Sequence, residues 1–311
     1  MRIVYFGTPD FAVESLDAIM QSRHKVVAIV TVPDRQAGRG QKVIYSPVKQ
    51  YAIDHGLPLL QPERLRDPQF LETLQGFGAD MFVVVAFRML PEAVWNMPKY
   101  GTFNLHASLL PRYRGAAPIN WAIINGERET GVSTFLLNHY IDEGNLLLQR
   151  TTPLSADDNA GTLHDRLAAM GRQAVVDTLD GIEDGTLEPR PQEGIPCPAP
   201  KIFADDCFID WTRPAEEIER FVRGLAPYPG ARFSMIDPQG QTHLFKLFET
   251  HVVADPDSIP GSIECDRKSV LKIGAKGGFL SIISLQMSGK RQNCIEDFLR
   301  GNKLIGWKLS V

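Results

Sequence analysis

The chain's 311 residues are 43% apolar and 23% charged, the balance of a folded protein long enough for about two domains. Its longest uninterrupted apolar run, residues 81–87, is far short of the roughly 18 needed to span a bilayer. The opening MRIVYFGTPDF offers neither the apolar core nor the cleavage site of a secretory leader, so none is expected. A net charge of −4 argues, as a total, against a dedicated nucleic-acid binder.

The first half alternates short apolar runs with helical patterns, the rhythm of βαβ units around a mostly parallel sheet. Residues 2–6 predict a buried strand; Gly7 supplies a tight exit, Thr8 is a candidate N-cap and Pro9 suits the first helical position. Phe11, Ala12, Leu16 and Ile19 then recur at helical spacing to about residue 21. A second strand is predicted at 26–32, a long polar loop at 33–46 and a short helix at 47–55. Residues 79–87 form the most hydrophobic strand, suited to the middle of a sheet covered on both faces. Strands at 102–107, 132–137 and 146–152 follow, and a helix over 159–180 closes a first domain placed at 1–188.

Between 189 and 200 five prolines fall in 12 residues, a density that neither a helix nor a central strand tolerates. A Pro-rich linker is therefore expected at 189–204, with a second domain over 205–311. There a helix near 214–224 precedes strand-like runs at 231–236, 243–253, 261–265, 270–273 and 279–285. Short strands separated by Gly, Pro and Asp turns suggest a small β-barrel, OB-like by preference. Cys197, Cys207, Cys265 and Cys294 have nine, 57 and 28 residues between them, contain no C-x-x-C, and are expected as free thiols in a reducing cytosol. The remaining histidines (24, 55, 164, 243 and 251) have no spacing that recommends a metal.

The turn after the first strand holds one glycine where a dinucleotide fingerprint needs three, and neither 37–40 nor 274–278 has P-loop spacing. The informative stretch is 102–119, TFNLHASLLPRYRGAAPI. Asn104 and His106, two apart in a strand, share a face at its C-terminal end, where open α/β sheets place their sites. An amide donor beside an imidazole can polarise a carbonyl and stabilise an oxyanion, as acyl transfer requires. By itself an Asn-x-His pair more often marks a structural histidine. A second element, HYIDEG at 139–144, supplies Asp142, a carboxylate able to pair with His106 and keep an imidazolium available.

Taken together, NLHASLLP at 104–111, RYRGAAPI at 112–119 and Asp142 resemble the signature of the folate-dependent formyltransferases. More narrowly, FGTPDFA at 6–12, PDRQAGRG at 33–40 and SGKR at 288–291 resemble the branch that acts on a charged initiator tRNA. Gln36 stands where proline is usual, and the segment 86–91 is one residue shorter than in some relatives. The resemblance implies a Rossmann-like formyltransferase domain followed by an OB-like tRNA-binding domain. It implies 10-formyltetrahydrofolate as co-substrate, no metal, and the α-amino group of initiator methionyl-tRNA as acceptor, in a monomeric cytoplasmic enzyme that uses no membrane. It makes Asn104, His106 and Asp142 catalytic and Ser108, Leu109, Leu110 and Pro111 folate contacts. Phe87, Met89 and Leu90, with the chain around 137–142, would line the pterin pocket.

An RNA partner requires local positive charge, because phosphate contacts supply most of the affinity. Residues 33–50 sum to +3 and residues 266–308 to +6, against −6 over 205–265. Scattered lysines on a solvated face are the ordinary explanation of such runs. With the resemblance, Arg35, Arg39 and Lys42 become candidates for the acceptor stem, and Lys290 and Arg291 for the backbone. The alternatives are a formyltransferase acting on an amino-sugar nucleotide, a formyl-folate hydrolase and a non-catalytic RNA-binding module. The basic tip of the 33–40 loop favours a nucleic-acid acceptor over a sugar.

Overall fold

A computed structural model describes residues 1–37 and 42–310, and only the backbone within 35–37 and 42–43. The chain divides into two compact units. The first comprises Met1–Pro118, Glu129–Pro153 and His164–Ala199; the second gathers Ile119–Arg128, Leu154–Leu163 and the chain from Pro200 onward.

In the first unit, β1 (Arg2–Gly7), α1 (Asp10–Met20) and β2 (Lys25–Val30) form the opening βαβ. β3 (Arg35–Ala37) pairs antiparallel with β4 (Lys42–Ile44), so the polar stretch expected as a loop holds a two-stranded hairpin. Next come α2 (Pro47–Asp54), β5 (Leu59–Leu60), α3 (Pro68–Gly76), β6 (Met81–Val85), α4 (Glu92–Trp95), β7 (Thr102–His106) and β8 (Arg112–Gly115). After α5 (Pro118–Ile124), whose body lies in the second unit, the chain returns as β9 (Glu129–Leu136) and β10 (Leu146–Pro153). α6 (Ala160–Glu183), from His164 onward, and β11 (Cys197–Ala199) complete it.

The main sheet runs β10-β9-β7-β6-β1-β2-β5. β5, β2, β1, β6 and β7 are parallel, while β9 and β10 are antiparallel additions. Chain order spreads from β1 through β2 to β5, then resumes on the other side of β1 with β6, a reversal that opens a crevice at the strand ends. Every residue of β6 is buried, as expected of an apolar run covered on both faces. α1 packs Phe11, Ala12, Leu16 and Ile19 inward, and the Tyr5 hydroxyl donates to the Ala12 carbonyl at 2.6 Å. Of these, Phe11, Leu16 and Ile19 each contribute about 1.5–3 kcal/mol on full burial.

Thr8 is not the N-cap of α1. That position falls to Pro9, no side chain caps the helix, and Thr8 Oγ1 is buried without a protein partner. α2 starts as its sequence suggests, with Ser46 Oγ accepting from Lys49 N at 3.1 Å and Pro47 in the first turn.

The proline-rich stretch carries paired backbone. Arg190 bridges Leu146 through two hydrogen bonds of 2.7 and 2.9 Å, and β11 pairs in parallel with β8.

In the second unit, a 3-10 turn at Asp205–Cys207 and α7 (Ala215–Leu225) precede β12 (Ala231–Ile236) and β13 (Thr242–Ala254). β14 (Ile263–Cys265), β15 (Leu271–Ala275), β16 (Gly278–Met287), β17 (Gln292–Cys294), α8 (Ile295–Gly301) and β18 (Lys308–Ser310) follow. The sheet order is β14-β15-β16-β13-β12-β18, antiparallel throughout, with β17 on β16. All five strand-like runs are present, and two three-residue strands, β17 and β18, join them. A Cβ built at Gly261, just before β14, would lie 3.5 Å from Leu309 in β18, so the sheet's two ends approach to make the expected barrel. Its core stacks Phe233 on Phe245 at 5.1 Å, with Ile218, Val222 and Leu225 of α7 over it. Cys197, Cys207, Cys265 and Cys294 are free.

Candidate active site

β7 lies between β6 and β9, with Phe103 and Leu105 buried on one face. Strand alternation turns Asn104 and His106 to the other, as the i, i+2 spacing predicts. Asn104 Oδ1 is shielded from water and has no protein partner. An unpaired buried amide oxygen costs about 1–3 kcal/mol, a cost that only a hydrogen-bond donor can remove.

His106 is 7% exposed, and its Nε2 lies 2.8 Å from the Tyr113 carbonyl oxygen. A carbonyl only accepts, so Nε2 carries the proton and Nδ1 is the nitrogen left for chemistry. Nδ1 stands 3.8 Å from Asp142 Oδ2, which itself accepts from Gly115 N at 2.9 Å. The loop carrying Asp142 folds back to reach this place. It leaves β9 beside Thr102, at the start of β7, where Leu137 N donates to the Thr102 carbonyl, and returns to His106 at the strand's end. Asp142 adopts φ +55°, Tyr113 φ +62° and Gly115 φ +125°. Aspartate tolerates the left-handed region and glycine enters it freely, whereas the tyrosine stores strain. Gly115 is required twice over: a Cβ would also stand 2.5 Å from the Ala199 carbonyl oxygen.

Ser108, Leu109, Leu110 and Pro111 form the turn between β7 and β8. Ser108 Oγ donates to the Arg112 carbonyl, and the Ser133 hydroxyl bridges the Ser108 carbonyl and Leu110 N. Gln149 Nε2 donates to the Leu110 carbonyl at 3.0 Å, and Leu110 packs on Phe135 and Leu146. Ser108 and Leu110 therefore commit their side chains to holding the turn, with Pro111 buried and Leu109 half-buried. What this turn presents to a ligand is chiefly backbone.

Phe87 and Leu90 join Phe6, Val84 and Leu137 in one apolar cluster, so the two segments expected to meet do meet. Met89 differs, at 68% exposed. Trp95 meets His139 edge-on at 5.3 Å, tying α4 to the Asp142 loop. Arg88, between Phe87 and Met89, donates to the carbonyls of Pro62 and Glu63, and burial pushes its guanidinium below its ordinary value. An open groove of about 600 Å³ along α3, walled by Gln61, Arg64 and Phe70, contains none of the predicted residues.

Arg35 and Lys42 lie on the paired backbone of β3 and β4, and Arg39 falls outside the described residues. The base of that hairpin is tied down: Asp34 accepts from Lys49 Nζ at 2.6 Å and from Gln61 Nε2 at 2.9 Å. The Lys49 bond, then that of Gln61, holds the Asp34 carboxyl below the usual carboxylate range. Lys290 and Arg291 are exposed between β16 and β17 in the second unit. His24, Asp180 and Glu183 cluster elsewhere, but the Met1 amine, 2.8 Å from Glu183 Oε1, and Arg23 already engage them.

Sequence spacing missed Gln192, in the proline-rich stretch. Its Nε2 donates to the carbonyls of Asp142 and Gly144, and its Oε1 accepts twice from Arg114. A lone glutamine fifty residues from Asp142 carries no local signal that it would do so.

Two family models match the chain: formyl transferase over residues 1–179, and formyl transferase, C-terminal domain, over 201–303. The methionyl-tRNA formyltransferase of Bacteroides fragilis is 49% identical over 307 residues, 97% of this chain and 95% of that one. That of Parabacteroides distasonis is 51% identical over 313 residues, 98% of this chain and 97% of its own. Among solved structures, HypX from Aquifex aeolicus in complex with tetrahydrofolic acid matches with a TM-score of 0.66 at 18% identity, over 98% of this chain and 48% of that one. A sugar 3N-formyl transferase, WlaRD, solved in the presence of dTDP and 5-N-formyl-THF, gives 0.65 at 19% over 94% and 99%. At those identities the two structures share the fold.

Proposed function

Because the chain belongs to the formyl transferase family, we propose that it moves the formyl group of 10-formyltetrahydrofolate onto the α-amino group of methionyl-initiator-tRNA. Relatives near 50% identity, matched over almost their whole length, bear that activity in their names. The sugar-directed enzyme resembles the chain only at 19% identity, which leaves the amino-sugar reading without comparable support.

The observation that carries the mechanism is the approach of His106 Nδ1 to Asp142 beside the unengaged Asn104 amide. The folate supplies an activated formyl carbonyl. Attack by the free amine makes a tetrahedral oxyanion, toward which Asn104 donates an N–H and the His106 imidazolium donates Nδ1–H. Collapse of that oxyanion breaks the bond between the formyl carbon and N10, so tetrahydrofolate leaves with a proton on N10 while the new ammonium loses one. Nε2 is already committed to the Tyr113 carbonyl, so only Nδ1 can serve. Asp142 either holds that imidazolium in place or removes the ammonium proton; the gap of 3.8 Å is too long for a direct hydrogen bond and admits both. The Ser108–Pro111 turn and the cluster of Phe87, Leu90 and Leu137 provide the folate's walls, with Met89 at the rim.

Catalysis is assigned to residues 1–188 with the proline-rich stretch, and grip on the tRNA to 205–311 together with Arg35, Arg39 and Lys42. Lys290 and Arg291 contribute to the backbone grip. The enzyme works as a monomer in the cytoplasm. Among the described residues no helix is long and apolar enough to cross a membrane. A transfer assay offering charged initiator tRNA, an amino-sugar nucleotide or water as acceptor tests the reading. Formylated methionyl-tRNA is the expected product; formylation of the sugar alone, or simple hydrolysis, would replace this function with another.

A further inference from the structure

We propose that Gln192 is a positioning residue for the reaction, holding Asp142 at the distance from His106 at which it works. The inference rests on the role given to Asp142 above and adds a member that the comparisons do not assign.

Gln192 uses its whole side-chain amide. Nε2 donates to the Asp142 carbonyl at 2.8 Å and to the Gly144 carbonyl at 2.9 Å, so both amide protons end on one short loop. Oε1 accepts from Arg114 Nη2 at 2.7 Å and Nε at 3.2 Å, and the same guanidinium reaches Glu143 through Nη1 at 2.9 Å. Three consecutive residues of the loop, 142 to 144, are thereby gripped from one side. Arg114 adjoins Gly115, whose N–H holds the Asp142 carboxylate. Backbone and carboxylate of Asp142 are thus fixed from two chain segments that Gln192 joins.

Glutamines on surfaces commonly make one adventitious bond, and two features separate this one from that background. Between 191 and 196 every other residue is exposed, and Gln192 alone turns inward. Its segment is also anchored on both sides, by the Arg190–Leu146 bridge before it and by β11 on β8 after it. The glutamine is presented by a tethered strap, with little rotational freedom left to lose. It is needed because the loop is not fixed by itself: Asp142 sits at φ +55°, which aspartate tolerates but which competes with ordinary backbone angles unless neighbouring bonds select it. Losing Gln192 leaves two loop carbonyls without their donor and lets Asp142 relax toward ordinary backbone angles. A displacement of about 1 Å at a reacting group costs on the order of 10²-fold in rate.

The test uses the full-length enzyme with charged initiator tRNA and compares Gln192→Leu, Gln192→Glu, Asp142→Ala and the double variant Asp142→Ala/Gln192→Leu. The expected result for Q192L is a single-turnover rate lower by roughly 10- to 100-fold, with KM for both substrates within about twofold of the parent. Q192E keeps an acceptor for Arg114 and loses both donors to the loop, so it should fall as far. In the double variant Q192L should add nothing to D142A, since Gln192 acts only through Asp142. A Q192L that melts earlier and turns over normally once folded would make the residue structural and overturn the proposal. So would a fully active Q192E, or additive losses in the double variant. If D142A itself were near parental rate, the assignment of Asp142 would fall first; if D142A is slow and Q192L is not, only the proposal for Gln192 falls.

Discussion

The Nε2 of His106 lies 2.8 Å from the carbonyl oxygen of Tyr113, and this hydrogen bond fixes which ring nitrogen is left free. The Tyr113 carbonyl can be only an acceptor, so Nδ1 is the nitrogen that faces Asp142 and that the proposed mechanism uses. His106→Ala should lower the single-turnover rate by about 10²–10⁴-fold, the usual range for losing a positioned acid or base. Folate binding, measured by titration, should be preserved.

Asn104→Leu is predicted to separate activity from stability. The substitution keeps the branched shape and the number of heavy atoms and removes a buried oxygen that has no protein partner. The rate should fall by about 10²–10³-fold, the cost of one oxyanion donor. Tm should hold or rise, because an unsatisfied polar atom leaves the interior. A fall in Tm with activity intact would show the amide to be structural.

Gly144 has no room for a side chain. A Cβ there would stand 1.6 Å from the Leu136 carbonyl oxygen, which belongs to the backbone and cannot swing away. Gly144→Ala should therefore push the Asp142 loop off the sheet. A destabilisation of about 1–3 kcal/mol in denaturant unfolding is expected, together with a loss of kcat that Gly76→Ala, where nothing lies within 4 Å, does not share.

Charge reversal of the tRNA surface is not needed to test it; deletion suffices. Arg39→Ala should raise KM for charged tRNA and leave folate binding intact. Lys290→Ala/Arg291→Ala should weaken tRNA binding and reduce the slope of log K against log salt, by about 0.9 for each phosphate that is no longer neutralised. Equal slopes for parent and variant would remove those two side chains from the interface.

Asp266 gives a pH signature away from the site. Its carboxylate accepts from the backbone N–H groups of Val270, Lys268 and Ser269, each at 2.8 Å, and those bonds hold its pKa far below the usual range. A depressed carboxylate contributes stability above the unfolded pKa, near 4, and loses it as the pH drops through the folded value. Asp266→Ala should lower Tm at neutral pH, and the gap should narrow steadily below about pH 4.

Much of the first unit could be anticipated because its signals are local. The apolar run of β6 and the spacing of Phe11, Leu16 and Ile19 report burial directly. Period-two alternation alone sets Asn104 and His106 on one face. What escaped depends on partners distant in sequence. β8 and β11 are four and three residues long and exist through each other, and three-residue strands such as β17 and β18 are too short to show a period. Asp142 is identifiable as a carboxylate in a turn, yet its arrival at His106 requires β9 to run antiparallel and the loop to double back. Thr8 had the residue type of a cap and none of its bonds.

The strap from Arg190 to Ala199 has a consequence for how such chains can be cut and recombined. A chain ending at residue 188 would retain Asn104, His106 and Asp142 and lose both the strand that backs Gly115 and the amide that grips residues 142 and 144. Grafting 205–311 onto a different catalytic half therefore demands that the intervening stretch travel with the catalytic half. If the proposed site is the reaction centre, a chimera joined at residue 188 should fold its sheet and remain slow, whereas one joined after Ala199 keeps β11 and Gln192 and should be the faster of the two.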